Sequence, residues 1–237
     1  MSLIETEALI LKNYSLAEAD KIVLFLTRTH GLVRGVAKGA KRLKSRFGSG
    51  LEPFSVINLE YFQKEERELV SIRQIELKNS LFEKASQVEN LKTFSYLAEL
   101  LSEFAPPNEP NELLYRMTVA CLETAEEKNL AKLRLYFEIW LLKLAGYLPL
   151  WNNCDDCKRQ FSPDENTFLV VSFHLCCINC QKNRSNNLVT FQQRAIIRQV
   201  LSISPSDFFD LTQNNDDILQ MSKITKRIIS HVLGKEV

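Results

Sequence analysis

Cys154-Asp-Asp-Cys157 and Cys177-Ile-Asn-Cys180 are two C-x2-C pairs with 19 residues between them. No other feature of the chain restricts its fold so tightly. A two-residue gap lets one tight turn present two sulfurs to a single ion, and four thiolates fill every position of a tetrahedral zinc site. With no position left for an activated water, such a site is structural. The expected ligands of one Zn2+ per chain are Cys154, Cys157, Cys177 and Cys180. Cys176 and His174 stand close enough in sequence to compete at the second pair. Only Cys177 keeps the two-residue gap to Cys180, so Cys176 is expected to be a neighbour. Five of the six cysteines fall between Cys154 and Cys180, a clustering that points to metal rather than to a disulfide framework. The sixth, Cys121, is expected to be a buried apolar residue of a helix.

Catalytic zinc chemistry is excluded by the surrounding residues. Zinc-dependent nucleobase deaminases require H-x-E and P-C-x-x-C. Here His174 precedes Leu-Cys, His231 precedes Val-Leu, and neither cysteine pair follows a proline. With three histidines in all, the chain offers no nucleophile–base motif. Glu65-Glu66 and Asp155-Asp156 are adjacent carboxylates that read as solvated turn residues rather than as ligands of a catalytic cation. No catalytic residue is assigned, and the chain is not expected to be an enzyme.

Periodicity divides the chain. Ile4–Lys12, Ile22–Thr27, Gly31–Ala37, Phe54–Phe62 and Leu69–Leu77 read as five strands in about 80 residues, the content of a small barrel of the OB type, with an SH3-like barrel as the alternative. Helical spacing follows: Val88–Phe104 ends at Pro106-Pro107, Glu112–Glu127 comes next, and Leu130–Tyr147 places Leu130, Leu133, Phe137, Trp140, Leu141 and Leu144 on one broad face before Gly146 and Pro149. Phe191–Leu201 and Asp217–Leu233 resume the pattern, the last with capping residues in Asn214–Asp217 and Gly234 beyond its end. The fold class is therefore α+β and multidomain: an OB-type barrel at 1–80, and a helical domain from 81–149 and 186–237. A zinc module at 150–185 is inserted between the two helical segments.

The net charge is only +1, but its distribution is uneven. Lys21, Arg28, Arg34, Lys38, Lys41, Arg42, Lys44 and Arg46 lie between Lys21 and Leu51, a stretch without Asp or Glu. Arg34, Lys38, Lys41, Arg42, Lys44 and Arg46 occupy thirteen residues between two predicted strands. A mobile basic loop on a small barrel suits a phosphate backbone, which the cations track without reading bases. It is no P-loop: Gly35 and Gly39 are four apart and no Gly-Lys-Ser/Thr occurs. Of the nearby aromatics, Phe47, Phe54 and Tyr61 are expected in the core. Phe62, on the strand face shared with Asn58 and Glu60, is the candidate for stacking on bases. The acidic start of the chain lacks the basic region of a secretory signal, and the apolar stretch Ile139–Trp151 is too short to span a bilayer.

Tyr14-Ser-Leu-Ala-Glu18-Ala-Asp20, Phe25-Leu-Thr27, Gly31, Ala37-Lys38-Gly39-Ala40-Lys41-Arg42, Ser45-Arg46 and Leu51-Glu52-Pro53-Phe54 resemble the N-terminal signature of the RecO family of bacterial recombination mediators, and the likeness continues through the cysteine pairs. The resemblance implies an N-terminal OB domain, a helical domain and an inserted zinc finger. It also implies binding to single- and double-stranded DNA, annealing of complementary strands, and partnership with RecR and single-strand-binding protein in loading recombinase. A cytoplasmic, nucleoid-associated protein follows from the same likeness, as does carriage of DNA-binding character by Arg34, Lys38, Lys41, Arg42, Lys44 and Arg46. Zinc-bearing members often carry glycines after the first cysteine pair and just before the second. Here Lys158 follows Cys157, and Phe173-His174-Leu175-Cys176 precedes Cys177. The alternative function is a zinc-stabilised protein–protein adaptor whose basic loop only solubilises it.

Overall fold

The computed structural model describes residues 2–63, 68–170, 173–181 and 187–236, so the Glu65-Glu66 pair lies outside the described residues. The chain divides into two compact units, Met1–Glu127 and Lys128–Val237.

In the first unit five strands close a barrel in the order β1-β2-β3-β5-β4. They are β1 (Ser2–Leu16), β2 (Asp20–Thr27), β3 (Gly31–Ala37), β4 (Ser55–Gln63) and β5 (Leu69–Ser80). All pairings are antiparallel except β3 with β5, which closes the barrel in parallel. Alternation of side chains fills the interior with Ala8, Ile10, Val23, Phe25, Val33, Ile57, Leu59, Tyr61, Val70 and Ile72. Phe47 and Leu51, from the β3–β4 connection, join that core. Gly31 starts β3 at φ +61°, and a Cβ there would stand 2.0 Å from the Glu109 carbonyl oxygen. Both the left-handed backbone and the close approach demand glycine.

A bulge between Ile10 and Lys12 interrupts the β1–β2 register. Before it, Ala8 and Ile10 point inward; after it, Lys12 pairs with outward-facing Leu24 and Tyr14 with Ile22. The extra residue thus reverses the facing of the rest of β1. Three helices complete the unit: α1 (Phe82–Ala85), α2 (Val88–Phe104) and α3 (Glu112–Glu123). The Phe94 ring of α2 meets Phe54 edge-on at 5.2 Å, and α3 packs on β2. Outward-facing Leu24, Leu26 and Leu32 are consequently buried. Grouping of α2 and α3 with the barrel does not follow the boundary at 80/81 read from the sequence. Periodicity marks where secondary structure changes, whereas a compact unit is defined by packing.

The second unit is built on α4 (Leu130–Leu144). Its expected apolar face is only part of what is covered: Leu135, Tyr136, Glu138, Ile139 and Leu142 are buried too. Helix α4 is therefore a central helix, packed by α5 (Phe191–Val200), α6 (Pro205–Asp210) and α7 (Asn215–Leu233). Trp140 Nε1 donates to the Val200 carbonyl at 2.9 Å, and the Thr225 hydroxyl of α7 donates to the buried Glu138 carboxylate. A Schellman turn ends α4, with Gly146 at φ +79° and the Tyr147 N–H donating to the Leu142 carbonyl at 2.8 Å. Between α4 and α5 runs a three-stranded sheet in the order β7-β6-β8, made of β6 (Thr167–Leu169), β7 (Leu175–Cys176) and β8 (Asn187–Val189). These short strands and α6 carry too few residues to register as periodicity. Among the described residues no helix is long and apolar enough to cross a membrane.

Candidate metal centre and nucleic-acid face

Both cysteine pairs sit on tight turns. In the first, the Lys158 N–H donates to the Cys154 carbonyl at 2.8 Å and the Cys154 N–H to the Arg159 carbonyl at 2.8 Å. In the second, the N–H groups of Cys180 and Gln181 both donate to the Cys177 carbonyl at 3.0 Å. The pairs are joined by the Asp155 N–H on the Leu175 carbonyl and the Cys177 N–H on the Cys154 sulfur. As a result the Sγ atoms of Cys154, Cys157, Cys177 and Cys180 all lie within 4.8 Å of one another. The Cys157–Cys177 separation is 3.9 Å, against about 3.8 Å for the edge of a tetrahedron with zinc–sulfur bonds of about 2.3 Å.

Cys176 is outside this set. It ends β7 opposite Phe168 of β6 and is buried, and desolvation, followed by the nearby Asp156 carboxylate, pushes its thiol up to about 11. His174 faces the Asp155 carboxylate at 3.5 Å. Lys158 keeps the first turn by adopting φ +60°, and Phe173, at φ +58°, lies in the β6–β7 connection that leads to the second pair. The first knuckle therefore closes without glycine, with the Lys158 backbone held in the left-handed region, and the second closes with no left-handed residue between Cys177 and Cys180.

The electrostatics of the four sulfurs favour a cation. Burial alone raises the Cys154 thiol, but backbone N–H groups of Cys157 and Cys177 and the Cys157 thiol outweigh it and bring Cys154 down to about 6. Against its own burial, Cys177 is lowered by the N–H and thiol of Cys180 and by Arg159. Cys180 donates to Cys177 and Cys157 and is pushed up to about 12. The lowered thiols of Cys154 and Cys177 belong to a four-sulfur donor set suited to a divalent ion. Arg159, paired with both Glu165 oxygens at 2.9 and 2.6 Å, adds positive charge beside Cys177.

In the first unit, the basic segment departs from the expected mobile loop. From Lys38 to Phe54 the chain is a run of turns and bends bound to the barrel. Gly39 N–H donates to the Asp20 carboxylate at 2.8 Å, and Lys41 N–H to the Ala19 carbonyl at 2.9 Å. Phe47 and Leu51 anchor it in the core. A loop of this length, with two core side chains and hydrogen bonds to the β1–β2 turn, is pinned rather than mobile. Two of the six cations are engaged: Lys41 Nζ donates to the Ala17 carbonyl at 3.1 Å. Arg46 donates to the Ile72 carbonyl at 3.2 Å and stacks on Phe47. Arg34 (on β3 itself), Lys38, Arg42 and Lys44 are exposed, with no protein partner among the described residues.

Of the aromatics, Phe47, Phe54 and Tyr61 are buried, as expected, and Phe62 is half-buried on the outer face. Tyr14 is 53% exposed. Strand periodicity does not reveal it, because the bulge at Ile10/Lys12 turns Tyr14 from the inner to the outer face. No acidic residue interrupts Lys21–Leu51, but another part of the wall, which shares the outer face of β4 with Phe62, differs. Glu5, Glu7, Glu60 and Glu76 line one concave surface on β1, β4 and β5.

A family model described as "Recombination protein O N terminal" matches residues 1–81, and one described as "Recombination protein O C terminal" matches residues 85–237. Among characterised proteins, the chain is similar to the DNA repair protein RecO of Koribacter versatilis, with 30% identity over 81% of this chain and 78% of that one. The protein of the same name from Syntrophus aciditrophicus is 27% identical over 98% of this chain and 92% of its own. That from Thermoanaerobacter is 33% identical over 76% and 72%.

Proposed function

This chain belongs to the recombination protein O family, and on that premise we propose that it acts in DNA repair and recombination as a mediator that makes and breaks no covalent bond. It binds single- and double-stranded DNA through the barrel and anneals complementary strands. With RecR, it helps load recombinase onto strands coated by single-strand-binding protein. The observation that carries the reading is the basic turn. Arg34, Lys38, Arg42 and Lys44 extend from a backbone fixed to the barrel, without an ion-pair partner among the described residues. Cations presented by a rigid scaffold lose little entropy when they meet phosphates. Releasing condensed counterions from two strands lowers the repulsion between them, which is the electrostatic part of annealing.

In this reading the barrel at 1–80 is the nucleic-acid-binding domain. The helices of the second unit, at 128–149 and 186–237, meet protein partners, and 150–185 is the zinc module. Cys154, Cys157, Cys177 and Cys180 hold one Zn2+. The ion supplies four-fold cross-linking of two turns and no catalysis, since every position is taken by sulfur. Such a protein works in the cytoplasm, on the nucleoid.

The test is annealing of complementary strands coated by single-strand-binding protein, with and without RecR. Annealing that rises with this protein, and recombinase loading that needs both it and RecR, support the proposal. A protein that binds RecR but neither strand is instead a zinc-stabilised adaptor.

A further inference from the structure

The register of the barrel places residues far apart in sequence in one line on its outer wall. Phe62 of β4 pairs with Ser71 of β5, Ser71 with Val36 of β3, Val36 with Ile22 of β2, and Ile22 with Tyr14 of β1. Directly opposed residues share a face, and the inward neighbours Tyr61, Ile72, Val23 and Val70 confirm that this row faces out. Four strand spacings of about 4.8 Å set the two aromatics about 19 Å apart along the wall. Between them lie two partly exposed aliphatic side chains, Ile22 and Val36. One pleat along, Lys12 and Arg34 stand in a second row on either side of Leu24. Lys38 follows the end of β3 and opens the basic turn. Beside Tyr14 the surface is concave, a groove of about 240 Å³ lined also by Lys12, Pro53, Leu91 and Ser95.

The exposed Tyr14 at one end and the half-buried Phe62 at the other end of a mainly apolar row, with cations along its edge, match the two halves of a nucleic-acid strand: flat bases and charged phosphates. From this placement we infer that the Tyr14–Ile22–Val36–Ser71–Phe62 row is the base-contacting track for single-stranded DNA. Tyr14 and Phe62 are its stacking platforms, and Arg34, the exposed cation of the neighbouring row, is its phosphate contact. The inference rests on the reading that the barrel binds DNA. Stacking on protein requires an unstacked base, so the track discriminates single strands from duplex, whose bases are already stacked on one another. The basic turn, in contrast, meets the phosphates of either form.

The experiment measures binding of an oligothymidylate and of a duplex to the full-length chain by fluorescence anisotropy over a salt series. Tyr14→Ala, Tyr14→Phe and the triple variant Lys38→Ala/Arg42→Ala/Lys44→Ala are compared with the parent. Tyr14→Ala is expected to weaken single-strand binding about tenfold, to leave duplex binding unchanged and to keep the salt slope, since a neutral ring releases no counterion. Tyr14→Phe retains the π-face and is expected to restore single-strand affinity, a result that loss of a hydroxyl hydrogen bond or of folding does not give. If Tyr14→Ala binds single strands like the parent, or loses single strand and duplex equally, the track is refuted. The DNA reading itself stands in that case if the triple variant flattens the slope. If neither variant changes binding to either form, both the track and the barrel as the DNA-binding surface fall.

Discussion

Replacing Lys38, Arg42 and Lys44 together with alanine is the direct probe of the basic turn. The structure selects these three in preference to Lys41 and Arg46, which already donate to the Ala17 and Ile72 carbonyls. Removing either of those would disturb the turn as well as the charge. With Arg34, the three make four cations without a protein partner among the described residues. At about −0.7 per phosphate on single strands, four contacts give a log–log salt slope near −2.8. The parent protein should then lose about 50-fold in affinity between about 50 and 200 mM salt. The triple variant, left with Arg34, should have a slope near −0.7 and lose only about threefold over the same range. Anisotropy titrations at four or five salt concentrations measure both slopes. The melting temperature should hardly move, because exposed side chains without partners contribute within about 0.5 kcal/mol. A variant slope equal to the parent's would refute the argument and place the phosphate contacts on another surface. A flattened slope accompanied by a lowered melting temperature would mean that the pinned turn, rather than its charge, had been lost.

Further outcomes follow from the geometry. Purified protein should carry one equivalent of zinc by elemental analysis. Cys177→Ser should lose the metal and Cys176→Ser keep it, since the Cys176 sulfur lies outside the cluster; the reverse pattern would refute the assignment. Zinc should dissociate as pH falls, because protons compete for the thiolates. Gly31→Ala, with its Cβ 2.0 Å from the Glu109 carbonyl oxygen and φ at +61°, should destabilise the first unit by roughly 3 kcal/mol or more by chemical denaturation. Lys158→Gly, at φ +60°, should raise the resistance of the zinc module to chelator by up to about 1 kcal/mol; a loss would show that the Lys158 side chain, paired with Asp155 at 3.0 Å, outweighs the backbone strain.

What the amino-acid sequence alone determined is what depends on neighbours in the chain. The five strands and the main helices are legible because burial of one face imposes a period of 2 or 3.6 on consecutive residues. The cysteine pairs are legible because a tight turn needs only two residues between sulfurs. Spacing also picks out Cys177 over the adjacent Cys176, and the fold brings the Cys177 sulfur into the cluster. The tertiary structure decided everything that depends on register and packing. One bulged residue in β1 turns Tyr14 outward, and closure through the parallel β3–β5 pair aligns it with Val36 and Phe62. Neither is written in local alternation, because an inserted residue and a strand partner are chosen by the energy of the whole sheet. The basic segment shows the same division. Its charge is plain in the sequence, but Phe47 and Leu51 reach the core and Asp20 and Ala19 bind its backbone only once the barrel has closed. That closure converts a run of lysines and arginines that looks like a mobile loop into a fixed array of cations, since two buried side chains hold a backbone that its charged residues alone would leave free.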